Sequence, residues 1–211
     1  MFSQAEELFE RISQDNEVLR VFKFHSYRVM HFASLLAEEV QCLDEDMRVA
    51  SLLHDIGKMG LSKDILLKPA KLDPLEFEII KAHSHIGNNI LRKTLNAPRA
   101  ALFVRDHHER WDGKGYPRGL SGEQISLQGR IISICDAFDT MTIDRRNYDK
   151  QTLTFEKAFE ELRNCSWGQF DGDLVEAFIT VIGKLQLSDP SLWFDKLDKI
   201  EEVLSPQAKK S

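Results

Sequence analysis

The stretch that decides the fold is Leu52-Leu53-His54-Asp55-Ile56-Gly57-Lys58. An imidazole and a carboxylate stand side by side here, at the end of an apolar run with helical spacing, and an amine follows within one turn. Because a carboxylate has two oxygens, Asp55 can bind one metal ion and bridge to a second. A His-Asp pair alone is a weak signal, so its meaning depends on whether the rest of the chain supplies more ligands.

Helical spacing of apolar residues continues on both sides of this stretch and predicts an all-α domain. Asp44 and Asp73-Pro74 are typical helix starts, and Gly57 is predicted to end the helix that leads to His54-Asp55. No alternating pattern typical of strands and no internal repeat is present. The predicted helices cover residues 1–20, 24–40, 44–56, 74–91, 97–108, 125–141, 153–164 and 171–186, and a last amphipathic helix begins at 188–190.

Composition narrows the class of protein. The chain has 211 residues, of which 42% are hydrophobic and 29% charged, as is ordinary for a soluble globular protein. No apolar run is long enough to span a bilayer, and the acidic start is no secretory signal. The net charge of −6 argues against binding DNA. Three widely spaced cysteines, Cys42, Cys135 and Cys165, imply no disulfide framework. These features predict a cytoplasmic protein without membrane insertion.

Seven side chains with metal-binding chemistry lie on predicted helices or at helix ends. They are His25, His54, Asp55, His83, His107, His108 and Asp136. Imidazole and carboxylate groups are ligands that iron, manganese and similar ions accept. If Asp55 bridges, two ions can share the set. One takes His25, His54, Asp55 and Asp136, and the other takes Asp55, His83, His107 and His108.

The surroundings of each candidate indicate whether a role in metal binding is expected. Asp136 stands in an apolar helix, where a buried carboxylate needs a partner such as a metal ion. Cys135 is expected to pack as a small apolar residue. His31 and His85 do not share a helix face with His25 and His83, so we interpret them as ordinary histidines. The glycine-rich run 109–124 is predicted to be a loop, and loops of that length are more often functional than idle.

Three segments together resemble the HD-GYP family, a bacterial branch of the HD-domain metal-dependent phosphohydrolases. The segments are His54-Asp55-Ile56-Gly57-Lys58, His83-Ser84-His85-Ile86-Gly87 and His107-His108-Glu109-Arg110-Trp111-Asp112-Gly113-Lys114-Gly115-Tyr116-Pro117. The resemblance continues through residues 130–139 and covers roughly 22–182. It implies a multi-helix HD-domain bundle over 21–186, flanked by an N-terminal helix at 1–20 and by a C-terminal amphipathic helix and tail at 187–211.

The resemblance also implies an activity, the hydrolysis of cyclic di-GMP to pGpG or GMP. By similarity the seven residues above are metal ligands, Lys58 contacts phosphate and Arg145 contacts substrate. The Gly115-Tyr116-Pro117 loop takes part in the site and is a possible contact for a signalling partner. The cofactor is expected to be two ions of iron or manganese, because Val21 stands where relatives with three ions have a Glu ligand.

The sequence departs from the family pattern at two further places, both outside the predicted ligands. Arg146-Asn147-Tyr148 replaces the usual Pro-Tyr after Arg145, and Gly172 stands in place of a usual Pro, which we interpret as structural. Relatives usually carry sensor domains, whereas this chain adds only short flanking helices. The last helix, with Trp193 and Leu197, is expected to cover the core or to form a homodimer.

The predicted reaction is in-line attack on phosphorus by a hydroxide that bridges the two ions. Asp55 and Lys58 are the predicted catalytic residues, and Lys58 stabilises the charge that develops on phosphate. Arg110 and Tyr116 are further predicted substrate contacts. A local cationic site would come from the ions with Lys58, Arg110, Lys114 and Arg145. Two alternatives stay open: a non-catalytic receptor or interaction module, and a phosphodiesterase for another cyclic dinucleotide such as cyclic GMP-AMP.

Overall fold

A computed structural model describes residues 1–68, 70–142 and 152–188. Over these ranges the chain is helical, with two isolated β-bridges and no strand, which confirms the all-α prediction. The helices are α1 (Phe2–Asp15), α2 (Glu17–Glu39), α3 (Glu45–Leu52), α4 (Lys63–Leu66), α5 (Pro74–Thr94), α6 (Pro98–Asp106), α7 (Leu127–Thr142), α8 (Phe155–Asn164) and α9 (Gly172–Ser188). In the same part of the chain, none of them is both long and apolar enough to cross a membrane.

Side-chain caps explain where several helices begin. The Asp44 carboxylate accepts a hydrogen bond from the Met47 amide at 2.8 Å and starts α3. Asp73 and Glu76 form a reciprocal capping box at the start of α5, and each satisfies a backbone amide that the first turn leaves without a partner. Both starts fall where the sequence predicts them, because capping depends on residues within one turn.

One apolar core holds the helices together. The Phe138 ring on α7 lies 5.4 Å from Phe32 on α2 and 5.0 Å from Phe178 on α9, both in edge-to-face contacts. Helix α1 joins the same core, since Phe9 is buried and its ring lies 5.8 Å from Tyr27 of α2. Helix α1 ends at Asp15 rather than at residue 20, because Asn16 has an extended backbone with φ −116° and ψ 113°.

The chain around the His-Asp pair differs from the prediction in one respect. Helix α3 ends at Leu52, so His54 and Asp55 lie in the turn that leads into a 3-10 helix, Ile56–Gly60. Gly57 therefore does not end the α-helix. A Cβ at position 57 would lie 1.9 Å from the His83 carbonyl oxygen, so only glycine lets the 3-10 helix approach α5 this closely. The glycine brings the turn with Asp55 next to the helix with His83.

We expect Gly57→Ala to destabilise the fold by more than about 1 kcal/mol, as overpacking usually does. The added methyl would push the 3-10 helix away from α5, where the nearest obstacle is rigid backbone. Gly183→Ala on α9 is the matched control, because a Cβ there meets nothing within 4 Å. Helix propensity predicts that this control is neutral or slightly stabilising. Urea unfolding of both variants measures the difference, and an equal response of the two would contradict this role of Gly57.

The glycine-rich loop is held by a buried acid. Glu109 accepts hydrogen bonds from the amides of Arg118 at 2.7 Å and Leu120 at 2.9 Å, and its side chain is almost fully buried. A Cβ at Gly115 would lie 2.4 Å from the Arg110 amide nitrogen, so the loop folds tightly back on its own start. The Tyr116–Pro117 bond between these anchors is cis. The loop is thus an ordered part of the domain.

Two predicted features lie outside the described residues. These are the Arg145 segment and the last helix from 189 onward. Gly172 is described, and a Cβ there would lie 2.4 Å from the Trp167 indole, which packs across it. This contact agrees with a structural reason for glycine at position 172.

Candidate metal centre

The predicted ligands converge from five parts of the chain. His25 comes from α2, His83 from α5 and Asp136 from α7, while the others lie just after α3 and α6. They form two groups, and within each group the ligand atoms all lie within 4.8 Å of one another. One group is His25, His54 and Asp136, and the other is Asp55, His83, His107 and His108.

Hydrogen bonds fix the orientation of the imidazole rings. The Nδ1 atom of His54 lies 2.9 Å from the Ser51 carbonyl oxygen, and that of His83 lies 2.7 Å from the Ile80 carbonyl oxygen. His107 makes the same contact with a carbonyl three residues earlier. Because a carbonyl only accepts, each Nδ1 must bear the proton, and each Nε2 is left as an unprotonated ligand atom.

These unprotonated Nε2 atoms face one another. The two Nε2 atoms of His25 and His54 lie 3.2 Å apart, and those of His83 and His107 lie 3.4 Å apart. Two lone pairs cannot form a hydrogen bond with each other, and a cation held between the two nitrogens would make each contact favourable. Neighbouring ligands of an octahedral ion with bonds of about 2.1 Å stand roughly 3 Å apart, which matches both distances. The donor set therefore fits a divalent metal site.

Asp55 stands between the two groups. Its Oδ2 atom lies 3.6 Å from His54 Nε2 and 3.8 Å from His25 Nε2. Its other oxygen, Oδ1, lies 3.5 Å from His83 Nε2. The two oxygens of one carboxylate thus turn towards different histidine groups, which is the arrangement that a bridging ligand needs.

Burial keeps the imidazoles neutral. It lowers the pKa of His83 and of His107 to about 4, and it also lowers the pKa values of His54 and His108. Burial alone would raise the pKa of Asp55, but Lys58 and the surrounding histidines outweigh it and hold that pKa well below its usual range. Neutral imidazole and ionised carboxylate are the protonation states that metal binding requires.

These shifts predict how the stability of the metal-free protein depends on pH. An unfolded histidine takes up a proton near pH 6.5, whereas folded His83 and His107 do so only near their pKa of about 4. The unfolded state therefore binds more protons between these values, and stability falls as the pH is lowered from about 6.5 to 4. We expect roughly 1.4 kcal/mol per pH unit for each such histidine. Urea unfolding of chelator-treated protein at pH 7, 6 and 5 measures this, and a constant unfolding free energy would contradict it.

The buried ion pair of Asp139 and Arg28 lies next to His25, and no functional role was predicted for it from the sequence. The Nδ1 atom of His25 lies 2.6 Å from Asp139 Oδ2, and Arg28 donates to both oxygens of the same carboxylate at 2.6 and 3.2 Å. Asp139 is fully buried. It orients the His25 ring so that Nε2 faces His54. The available signal was its position one helical turn after Asp136, which puts both acids on one face of α7.

The predicted basic residues occupy different surroundings. Lys58 Nζ lies 2.5 Å from Asp55 Oδ2 and 4.4 Å from the centre of the Phe22 ring, so it belongs to the centre. Arg110 instead pairs with both Asp112 oxygens at 3.0 and 2.9 Å and donates to Gln169 at 3.1 Å. The side chain of Lys114 is 80% exposed, near Asp112. Both residues contact Asp112 of the loop, Arg110 also contacts Gln169, and their part in a cationic site stays a prediction.

The burial of several other residues can be compared with the predictions. The side chain of Asp136 is 21% exposed, so it is less enclosed than its apolar sequence neighbours suggested, and its Oδ1 atom lies 3.1 Å from His25 Nε2. His31 and His85 are exposed, and Cys135 is buried in the apolar core. Tyr116 packs on His108 with ring centres 4.9 Å apart, and burial with the nearby Asp55 and Asp136 charges raises its pKa.

Comparison with known proteins agrees with this geometry. The profile of an HD domain family matches residues 23–174. A cyclic di-GMP phosphodiesterase of Thermotoga maritima is 42% identical over 161 residues, which make up 74% of this chain and 43% of that protein. A 3′3′-cGAMP-specific phosphodiesterase of Vibrio cholerae is 44% identical over 124 residues, or 57% of this chain and 27% of that protein. The chain thus spans less than half the length of these curated relatives.

A solved structure supports the fold. An HDG"Y"P protein from Bdellovibrio bacteriovorus superposes with a TM-score of 0.64 at 16% identity, over 85% of this chain and 68% of that one. At this identity the likeness concerns the fold alone. The fold, the arrangement of histidines and aspartates and the matching profile lead to one conclusion. The chain belongs to the HD domain family.

Proposed function

We propose that this protein is a metal-dependent phosphodiesterase that hydrolyses cyclic di-GMP to pGpG or GMP. The observation that carries the proposal is the pair of Nε2–Nε2 contacts at 3.2 and 3.4 Å on either side of the Asp55 carboxylate. A centre of two divalent ions, iron or manganese, would take the seven predicted ligands, with Asp55 as the bridge. The activities named for the Thermotoga and Vibrio relatives supply the substrate class.

Divalent ions held by these residues would lower the pKa of bound water towards about 7, which would provide hydroxide at neutral pH, and would polarise a phosphoryl group. Attack of hydroxide on phosphorus would form a new P–O bond and break the bond to the ribose 3′-oxygen. That oxygen would take a proton from water or from Lys58 to become a hydroxyl, and the phosphate would stay on the 5′-oxygen. The protein's own residues set the geometry of this step. The carbonyl contacts of His54 and His83 hold their Nε2 atoms inward, and Asp139 does the same for His25.

Lys58 is the proposed electrostatic partner of the substrate. Its ammonium is paired with Asp55 Oδ2, and 15% of the side chain is exposed. Once cations neutralise Asp55, the Lys58 charge becomes available to a phosphate oxygen beside the centre. Arg145 and Tyr116 stay predicted substrate contacts. A homodimer, a signalling partner at the glycine-rich loop and a cytoplasmic location also stay predictions of the sequence.

The experiment is purification under anaerobic conditions, metal analysis and incubation with cyclic di-GMP. We expect about two ions per chain and conversion to pGpG or GMP, separated by chromatography. Chelator treatment should abolish turnover, and added Mn²⁺ or Fe²⁺ should restore it. Parallel assays with cyclic GMP-AMP and with simple nucleotides define the substrate.

The second candidate, a cyclic dinucleotide receptor, makes a different prediction. A receptor would retain metal and bind cyclic di-GMP at micromolar concentration without converting it. The ligand set within the described residues favours catalysis, because a receptor does not need so many unprotonated ligand atoms at one centre. Metal-loaded protein that binds but never hydrolyses any of the dinucleotides would decide for the receptor.

A further inference from the structure

Phe77 is an apolar side chain that the core does not use. It lies in the first turn of α5 and is 47% exposed. Its ring makes an edge-to-face contact with Tyr116 of the glycine-rich loop, with centres 6.5 Å apart and planes at 83°. The contact joins α5 to the loop at the surface.

Tyr116 connects Phe77 to the metal centre. The rings of Tyr116 and His108 lie 4.9 Å apart with planes at 30°, and the Tyr116 ring lies 6.4 Å from His83. His108, Tyr116 and Phe77 therefore form a continuous aromatic wall from the second histidine group to solvent.

A cation lies over the outer part of the aromatic wall. Lys81 Nζ is 5.1 Å from the centre of the Phe77 ring and 5.7 Å from that of Tyr116. It also pairs with Glu78 at 2.5 Å, and Glu78 is well exposed. Exposed ion pairs of this kind contribute little to stability, so the Lys81 ammonium can exchange Glu78 for another partner. An aromatic ring or a phosphate bound beside the wall is such a partner.

We propose that the aromatic wall is a base-binding subsite, in which Phe77 stacks against a purine of the nucleotide whose phosphate lies at the metal centre. The inference rests on the proposed function and extends it to the part of the substrate that does not react. Every base has a π face, so a solvent-exposed aromatic ring joined to a phosphate site suits stacking. The wall positions the substrate and takes no part in the bond-breaking step.

Binding of two small ligands tests the subsite without turnover. GMP and ribose 5-phosphate both present a sugar phosphate and differ only in the base. We expect calorimetry on metal-loaded Phe77→Ala to show roughly tenfold weaker binding of GMP and unchanged binding of ribose 5-phosphate. Phe77→Trp should restore GMP binding. Leu75→Ala is the matched control, because Leu75 is an apolar side chain of the same helix turn, is 71% exposed and presents no ring to a base.

Kinetics provide the second readout. For cyclic di-GMP, Phe77→Ala should raise KM about tenfold and leave kcat within twofold, as expected for a residue that binds the base equally in the ground and transition states. Equal loss of GMP and ribose 5-phosphate binding would overturn the inference, since Phe77 would then act on the metal centre. Unchanged GMP binding, or none by the wild type, would overturn it as well. If GMP discrimination is seen but no dinucleotide is hydrolysed, the proposed function fails and the base subsite stands.

Discussion

Asp55→Ala is expected to abolish both metal retention and hydrolysis. The two oxygens of Asp55 face different histidine groups, with Oδ2 3.6 Å from His54 Nε2 and Oδ1 3.5 Å from His83 Nε2. Its removal takes one ligand from each ion and the charge that links them. Loss of a residue that only hydrogen-bonds to a metal ligand reduces metal affinity or activity about 10–100-fold. Loss of a ligand shared by both ions should therefore reduce metal affinity and activity by more than about 100-fold.

The measurement is metal content per chain after anaerobic purification, followed by turnover of cyclic di-GMP. Asp64→Ala is the matched control, since it removes an exposed carboxylate of α4 near the same turn. Circular dichroism checks that both variants stay helical. A folded Asp55→Ala protein with full metal content and wild-type turnover would refute the proposed centre. Loss of one ion with the other retained would restrict the role of Asp55 to a terminal ligand.

Asp139→Ala is expected to destabilise the protein by about 3–5 kcal/mol, the usual consequence of leaving one buried charge without its partner. Arg28, itself nearly buried, donates to both Asp139 oxygens, and the same carboxylate holds His25 Nδ1. Without Asp139 the guanidinium stays in the core unpaired and the His25 ring loses its orientation. Urea unfolding of the metal-free protein measures the loss.

A second ion pair of similar geometry provides the control. Arg163 donates to Glu176 at 2.7 and 2.9 Å, but both side chains are more than half exposed. We expect Glu176→Ala to change stability little, because water and salt screen this pair. Asp139→Asn separates the two roles of Asp139: it keeps the shape but weakens the hold on His25, and it should reduce metal affinity about 10–100-fold. Similar unfolding free energies for Asp139→Ala and Glu176→Ala would contradict the argument.

The sequence by itself determined the helices and the chemistry of the ligands. Apolar spacing and local caps such as Asp44 and Asp73 fixed where helices begin, because each cap involves residues within one turn. The residue types at the seven positions determined that the centre is made of imidazole and carboxylate. The sequence also predicted a division into two sets that share Asp55, and the structure groups His25 with His54 and Asp136, and Asp55 with His83, His107 and His108. The assignment of these residues as ligands stays a prediction.

Only the tertiary structure decided how those residues meet. Asp139 and His25 are 114 positions apart, and no local pattern records that α2 and α7 cross so that one orients the other. The same is true of Gly57, whose need for glycine comes from the His83 carbonyl of another helix and not from its own turn. The surroundings of Phe77 are likewise a matter of tertiary structure, because its ring contacts Tyr116 of a loop that is distant in the sequence. Helical periodicity defines a face of α5 but not what packs on it.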